Sequence, residues 1–416
     1  MDKLTGGKLM GKGSYGCVFS PEIPCQLNEG MSTQGSGTQD ERVSKLFFHR
    51  DSVHKVKQEY SMNQLIQQIP NHKEWAITWD SMCRPPVFEQ ILQYDETIQD
   101  CLYSTDNSES EFDKVRQMLR GPSGGIPLEH HILKQATKSK LSHSSKFQEF
   151  FLQLMKMMEP LFLGLTEMYD HKICHNDIKF DNIMIDKGRC KYIDFGISTK
   201  LSDTKFFKTR SMVEFGNDRI YLCYPYEFIY MYATTDVLHN ELNYMMMGTH
   251  REDHEIYLGI HETIFDRHNT NQQVQDLIKL CMKQDIVKHK QSIFSMMDTY
   301  SLGMLIPIVL YQLFSYYTLF PKLKQMISLD KVQPFIELFK QMTEPNHSLR
   351  LHPHQVRERY EELKQLYLLE IREPRQRKRT TKRTTKRGQS KRGQSKRMSK
   401  RTKTKRRSGK RRIPTH

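Results

Sequence analysis

Three short segments of this 416-residue chain combine residue types that handle phosphate. The first is GKGSYGCV, from Gly11 to Val18. Three glycines at this spacing let a hairpin backbone approach phosphate oxygens where any side chain would intrude. The same pattern serves surface turns and dinucleotide-binding loops, but the latter need a helix straight afterwards, and Pro21 and Pro24 interrupt one here. The second segment is HNDIKFDN, from His175 to Asn182. Asp177, Lys179 and Asn182 place on one loop an acceptor that orients a hydroxyl, a cation that neutralises phosphate, and a carboxamide that binds a metal ion. Phosphoryl transfer uses that combination, because its catalysis is mostly positioning and charge neutralisation. The third is Asp194-Phe195-Gly196, 17 positions after Asp177, where a carboxylate suits a further Mg2+ ligand. Each segment alone is equally a polar turn; their order and gaps together favour phosphate chemistry.

These segments need elements to hold them. Phe147, Phe150, Phe151, Leu154, Met157, Met158, Leu161, Leu165 and Met168 recur at helical spacing, which predicts a long core-facing helix ending before His175, kinked or divided at Pro160. NIMID (182–186) and CKYIDFG (190–196), separated by Lys187 and Gly188, predict two strands joined by a turn. Residues 1 to about 120 mix Gly-rich, strand-like and short helical stretches, and helical pattern resumes to about Glu370. Strands first and helices afterwards predict an α+β chain of two lobes.

With these motifs in this order, residues 5 to about 370 resemble the eukaryotic-type protein kinase family. The resemblance implies a small β-rich N-lobe (about 1–120) and a larger helical C-lobe (about 121–371). It also implies ATP and Mg2+ as cofactors and protein substrates. Gly11, Gly13 and Gly16 match the Gly-rich loop and Val18 the residue over the adenine. Lys45, in Val43-Ser44-Lys45, matches the lysine that contacts the α and β phosphates, and Glu59 its helical partner. Asp177 matches the catalytic base, Lys179 a γ-phosphate contact, and Asn182 and Asp194 the metal ligands. Leu119 to Gly125 resembles the hinge, with Leu119 as gatekeeper and Arg120 beside the nucleotide. Asp298 resembles the aspartate that braces the catalytic loop, Glu227 the glutamate closing the activation segment, and Arg350 its arginine partner. Lys179 favours Ser/Thr over Tyr as the acceptor.

The departures from the family carry their own expectations. Asn176 replaces the arginine that clamps a phosphorylated activation loop in many kinases, which predicts activity without loop phosphorylation. Ile220 stands about where Ser/Thr kinases carry a threonine. In the expected hinge register, Pro122 lacks the N–H that would donate to adenine, at a cost on the order of 1 kcal/mol. Two insertions, about 21–40 and 228–290, lengthen the domain; the first reads as a mobile surface segment and the second as added docking helices or plain elaboration. Histidines in the second lack paired ligand spacing for a metal.

Charge separates the chain into two parts. The net charge is +16, yet residues 372–416 hold 22 Lys and Arg with the single acid Glu373, while the first 371 residues are net −5. The repeats TTKR-TTKR-GQSKR-GQSKR cannot bury enough surface to fold, so a disordered tail is expected, attracted to nucleic acid or an import receptor. Eight cysteines without a CxxC pair predict reduced thiols. The apolar stretch from Leu302 to Tyr317 predicts a buried core helix rather than a transmembrane segment. The N-terminus has no apolar h-region and Asp2 excludes myristoylation, so a cytoplasmic or nuclear location is expected. The reading is an ATP-dependent Ser/Thr protein kinase similar in style to those of large DNA viruses. The alternatives are a pseudokinase scaffold, a small-molecule kinase, or a nucleic-acid-associated virion or chromatin component acting through the tail.

Overall fold

The computed structural model describes residues 8–13, 16–26, 42–47, 52–92, 117–203, 222–225, 251–268 and 293–369, with single positions at 99 and 272. Met1–Arg372 fall in one compact unit, and the chain divides from it at Glu373. The expected tail disorder and most of both insertions lie outside the described residues.

Five antiparallel strands form the first sheet: β1 (Lys8–Gly13), β2 (Gly16–Ser20), β3 (Arg42–Phe47), β4 (Ser81–Cys83) and β5 (Gln117–Pro122), in the order β1-β2-β3-β5-β4. Side chains alternate between the faces. Cys17, Phe19, Leu46 and Met118 pack on one face with Ile23, Phe88 and Ile91, the last two brought by α3 (Phe88–Leu92). Phe47 and Leu119 pack on the other face with Val56 of α1 (Ser52–Gln67). In α1, Val56, Glu59, Asn63 and Ile66 recur three to four positions apart and are all buried, so one helical stripe faces inward. The short α2 (His72–Trp75) then sends Trp75 into the larger core.

Two expectations fail on the first of these faces. The start of the insertion is packed, not mobile surface: Ile23 is buried, its N–H donates to Ser44 Oγ at 3.0 Å, and Glu22 pairs with Arg42 and Arg120. Cys25 and Cys83 are joined by a disulfide, correcting the reading of all cysteines as reduced. They lie 58 positions apart with Cα atoms at 5.9 Å, a proximity that no local spacing pattern encodes. Cys174, Cys190 and Cys223 are free and buried.

The rest of the folded chain is mainly helical. After β6 (Ile126–Pro127) come α4 (Leu128–Gln135), α5 (Lys138–Ser142) and α6 (Ser144–Asp170). Of the two expected outcomes at Pro160, a kink or a division, the division does not occur: α6 runs unbroken through it. Tyr360 and Tyr192 hydroxyls donate to the carbonyls of Met155 and Leu161 on either side of the proline, both at 2.9 Å, and packing holds the helix together. Next are β7 (Ile173–Cys174), a 3-10 turn (Phe180–Asn182), β8 (Ile183–Asp186), β9 (Arg189–Tyr192) and β10 (Thr199–Lys200). Lys187 and Gly188, with φ of 50° and 81°, turn β8 back onto β9, as the sequence predicts.

Within the second insertion, α7 (Arg251–Thr263) contributes Tyr257 and Ile260 to the main core, so this part of it is structural. The fold closes with α8 (Met297–Tyr316), α9 (Phe320–Ile327), α10 (Gln333–Met342) and α11 (Pro353–Tyr367). The segment Ile293–Tyr316 is long and apolar enough to cross a membrane, but 94% of its apolar 18-residue stretch is buried inside the protein. Sheet first and helices afterwards make the described chain α+β.

Candidate active site

Register places the first group of site residues. Gly11 pairs with Val18, Val18 with Lys45, Lys45 with Leu119, and Leu119 with Met82. Side chains directly opposite one another share a sheet face, so Val18, Lys45 and Leu119 form one cross-strand row with Gly11 at its end. Gly13 pairs with Gly16 where the hairpin closes. A Cβ on Gly16 would stand 2.3 Å from the Leu46 carbonyl oxygen, so only glycine allows that strand approach. A Cβ on Gly11 would meet nothing within 4 Å, which leaves open space at that end of the row.

Lys45 is the charged centre of the row. Its Nζ donates to both Glu59 carboxylate oxygens at 3.0 Å and to Asp194 Oδ1 at 3.2 Å. Burial alone would lower the Lys45 ammonium, but Asp194 and Glu59 hold it well above its ordinary value. Against the upward push of burial, Lys45 holds the Asp194 carboxyl below the usual carboxylate range. The Glu59 side chain is 4% exposed and that of Asp194 41%, so the triad is closed on the α1 side and open at Asp194. Asp194 has φ 58°, a left-handed conformation that aspartate tolerates better than most residues. Phe195 is buried against the His175 ring, with centroids 4.9 Å apart.

The loop after β7 is braced from beneath. Asp298, at the start of α8, accepts from the main-chain N–H groups of His175 at 2.6 Å and Asn176 at 3.0 Å. Asn176, at φ 65°, donates through Nδ2 to the Ile197 carbonyl. Asp177 accepts from Asn182 Nδ2 at 2.7 Å, and Lys179 Nζ lies 3.1 Å from the same Oδ2. Asn182 also donates to the Asp177 carbonyl, which turns its own side-chain oxygen away from Asp177. Among the described residues, no cluster of three His, Cys, Asp or Glu could hold a metal by itself. Two oxygen-bearing side chains, Asn182 and Asp194, fit instead a hard cation that takes its other ligands from phosphate and water.

Not every expected residue joins this assembly. Arg120 lies one position from Leu119, so it faces the opposite side of the sheet, where its guanidinium binds Glu22 and contacts Cys25 Sγ at 3.1 Å. Its carbonyl accepts from Asp80 N–H. Arg120 is therefore not a nucleotide contact. β5 stays paired with β3 as far as Pro122, opposite Arg42, so the connection to β6 falls at 123–125, later than the expected hinge. Leu119 is buried within the sheet against Phe47 and Val56. Glu227 and Ile220 lie outside the described residues. Arg350 donates to the carbonyls of Glu344 and Met296 and covers the Tyr300 ring. No motif points to Tyr224, yet its hydroxyl is 3.3 Å from Asp177 Oδ1. The only hint is a tyrosine close before Glu227, in a segment whose path the sequence does not reveal.

Comparison with known proteins bears on the same loop. Residues 127–216, which hold Asp177, Lys179, Asn182 and Asp194, match the family described as protein kinase domain. This stretch is therefore similar to a protein kinase domain. It resembles the eukaryotic-type Ser/Thr kinases, a viral one among them. It is 25% identical over 224 residues to a protein of Invertebrate iridescent virus 3 named as serine/threonine-protein kinase 040L, covering 52% of this chain and 55% of that protein. It is 24% identical over 208 residues to the mitogen-activated protein kinase kinase kinase bck1 of Aspergillus fumigatus, covering 48% of this chain and 10% of that one. A 59-residue stretch is 36% identical to the CTD kinase subunit alpha of Saccharomyces cerevisiae, 14% of this chain and 11% of that subunit. The chain thus spans about half the length of the viral relative and about a tenth of the fungal ones. The kinase-domain match begins after the five-stranded sheet and does not include Lys45 and Glu59, which the hydrogen bonds from Lys45 to Glu59 and Asp194 tie to the matched stretch.

Proposed function

We propose that this chain transfers the γ-phosphate of MgATP to Ser or Thr hydroxyls of protein substrates. The observation that carries the reading is the triad of Lys45 between Glu59 and Asp194, which puts a fixed cation in the middle of a row that is open at its Gly11 end. Lys45 would bind the phosphates, and the glycine backbone would cover them. Asn182 and Asp194 would hold Mg2+, which when bound offsets the charge on the phosphate oxygens. Asp177, held by Asn182, Lys179 and Tyr224, orients the substrate hydroxyl and takes its proton. Lys179 supplies positive charge beside it. Asn176 is engaged with Ile197, which supports activity that needs no phosphate on the activation segment.

The basic tail suits a separate role, holding the enzyme on polyanions such as nucleic acid or directing it to the nucleus through an import receptor. The enzyme reading is tested by assaying the full chain and Asp194→Ala for phosphate transfer from MgATP to basic proteins. Transfer by the full chain and at least about a 100-fold loss in Asp194→Ala is expected, the size of effect seen when one electrostatic stabiliser of a transition state is removed. No transfer by a folded full chain would overturn it in favour of a scaffold.

A further inference from the structure

Trp79 has three groups able to hydrogen-bond, and all three are spent on one face of α1. Its indole Nε1–H donates to Glu59 Oε1 at 2.8 Å, its main-chain N–H donates to Asn63 Oδ1 at 2.9 Å, and its carbonyl accepts from Gln67 Nε2 at 3.0 Å. Glu59, Asn63 and Gln67 are four residues apart, so they line one helical stripe. The ladder is tied along its length. Asn63 Nδ2 donates to the Glu59 carbonyl at 2.7 Å, and Gln67 Nε2 reaches Thr78 Oγ1 at 3.0 Å. The Trp79 ring packs with Phe47, Val56 and Leu119, and lies so close to β5 that a Cβ on Gly121 would be 3.1 Å from its Cε3.

The segment that carries Trp79 is anchored in both directions. Asp80 N–H donates to the Arg120 carbonyl in β5, and the Asp80 carboxylate holds Arg42 through two bonds of 2.8 Å. On the other side, Ile77 N–H donates to the Tyr192 carbonyl at 3.0 Å, and Ala76 bridges to Tyr192. Tyr192 is two residues before Asp194. One stretch, 76–80, therefore touches the helix that carries Glu59, the sheet that carries Lys45 and the strand that leads to Asp194.

We propose that Trp79 is a positioning residue for the phosphate-binding lysine: the 76–80 segment clamps α1 so that Glu59, Lys45 and Asp194 are assembled before nucleotide arrives. Trp79 touches no reacting atom and acts through Glu59. The proposal rests on the kinase reading for its consequence, but the clamp itself is a property of the fold. An indole N–H on a buried carboxylate is a charge-assisted bond whose loss leaves Glu59 short of a donor. A helix held by such a ladder stays engaged without an external activator.

The test uses the full chain as wild type, Trp79→Phe, Glu59→Gln and the double variant. Trp79→Phe keeps an aromatic ring and removes the indole donor. It is expected to raise the KM for MgATP about 10-fold, the size of one hydrogen bond to a charged group, with the KM for the protein substrate unchanged. In the Glu59→Gln background the same change should have less than about a twofold effect, because its partner is already altered. Amide exchange without nucleotide is expected to accelerate across α1 in Trp79→Phe and not in α8. Equal effects in both backgrounds, or exchange that rises uniformly or not at all in α1, would overturn the clamp. If a folded wild-type chain transfers no phosphate, the enzyme reading falls, and the exchange comparison alone decides the clamp.

Discussion

Tyr224 holds one oxygen of Asp177 while Asn182 and Lys179 hold the other, so the carboxylate is fixed from both sides. Tyr224→Phe removes one donor and little volume, and is expected to lower kcat about 3- to 10-fold, in keeping with a long bond to a charged acceptor. Steady-state kinetics should show the KM for MgATP unchanged, because Tyr224 is bonded to Asp177 and not to Lys45. Asp298→Asn should be costlier, since an amide offers one acceptor where two main-chain N–H groups now find a carboxylate. A loss of about 1–3 kcal/mol in urea unfolding is expected. The free cysteines give a pH-dependent check. Burial pushes the Cys223 thiol up to about 12 and raises Cys174 and Cys190 as well, so the reactive thiolate is scarce at neutral pH. Iodoacetamide at pH 8 should leave all three unlabelled in the folded protein and label them in denaturant. At this scale, spacing in the sequence brings Lys45, Glu59, Asp177, Asn182 and Asp194 to attention, and the fold joins Lys45 to Glu59 and Asp194, and Asn182 to Asp177. Arg120 departs from expectation because it is its neighbour Leu119 that faces the site. Strand parity follows from pairing, and pairing joins residues far apart in sequence. Tyr224 and the Cys25–Cys83 bridge are hidden for the same reason: their partners lie 47 and 58 positions away.

Helix α6 shows what periodicity reveals and what it leaves open. Its apolar stripe announces a long core-facing helix ending before His175, and α6 ends at Asp170 with Phe147, Phe151, Leu154 and Leu165 buried. Pro160 suggests a kink or a break because proline lacks a donor and crowds the preceding turn, but the helix does not break there, held by hydrogen bonds from Tyr192 and Tyr360 on both sides. Gly164 is silent in the sequence. In the fold, a Cβ there would stand 2.7 Å from Cε3 and 2.9 Å from Cδ2 of Trp75, a side chain with no exposed surface. Gly164→Ala would ordinarily favour a helix by about 1 kcal/mol. Here overpacking against a rigid indole should reverse the sign, for a net loss of about 1–2 kcal/mol. A lower urea midpoint at unchanged slope would show it; a stabilised protein would mean that α2 yields and that Trp75 is not the rigid support the packing implies.

At the scale of the molecule, charge and fold divide at the same place. Met1–Arg372 make one compact unit, and the net charge before residue 372 is −5, while the remaining 45 residues carry +21. The charge pattern is fully legible in the sequence because it needs no contacts to be counted, whereas the sheet row Gly11–Val18–Lys45–Leu119 needs strand register. If the tail is a polyelectrolyte arm, ending the chain at residue 371 should remove binding to DNA while leaving the melting temperature and phosphate transfer to small peptides unchanged. For the full chain, log K against log salt should fall linearly, with a slope of about −0.9 for each phosphate neutralised. Several phosphates engaged by a tail of this density predict a loss of at least about 100-fold between about 50 and 200 mM salt. A shortened chain that binds DNA as tightly, with the same slope, would place the nucleic-acid surface on the folded unit. That would be a physical surprise, because a surface of net charge −5 would have to gather its cations locally against a repulsive mean field.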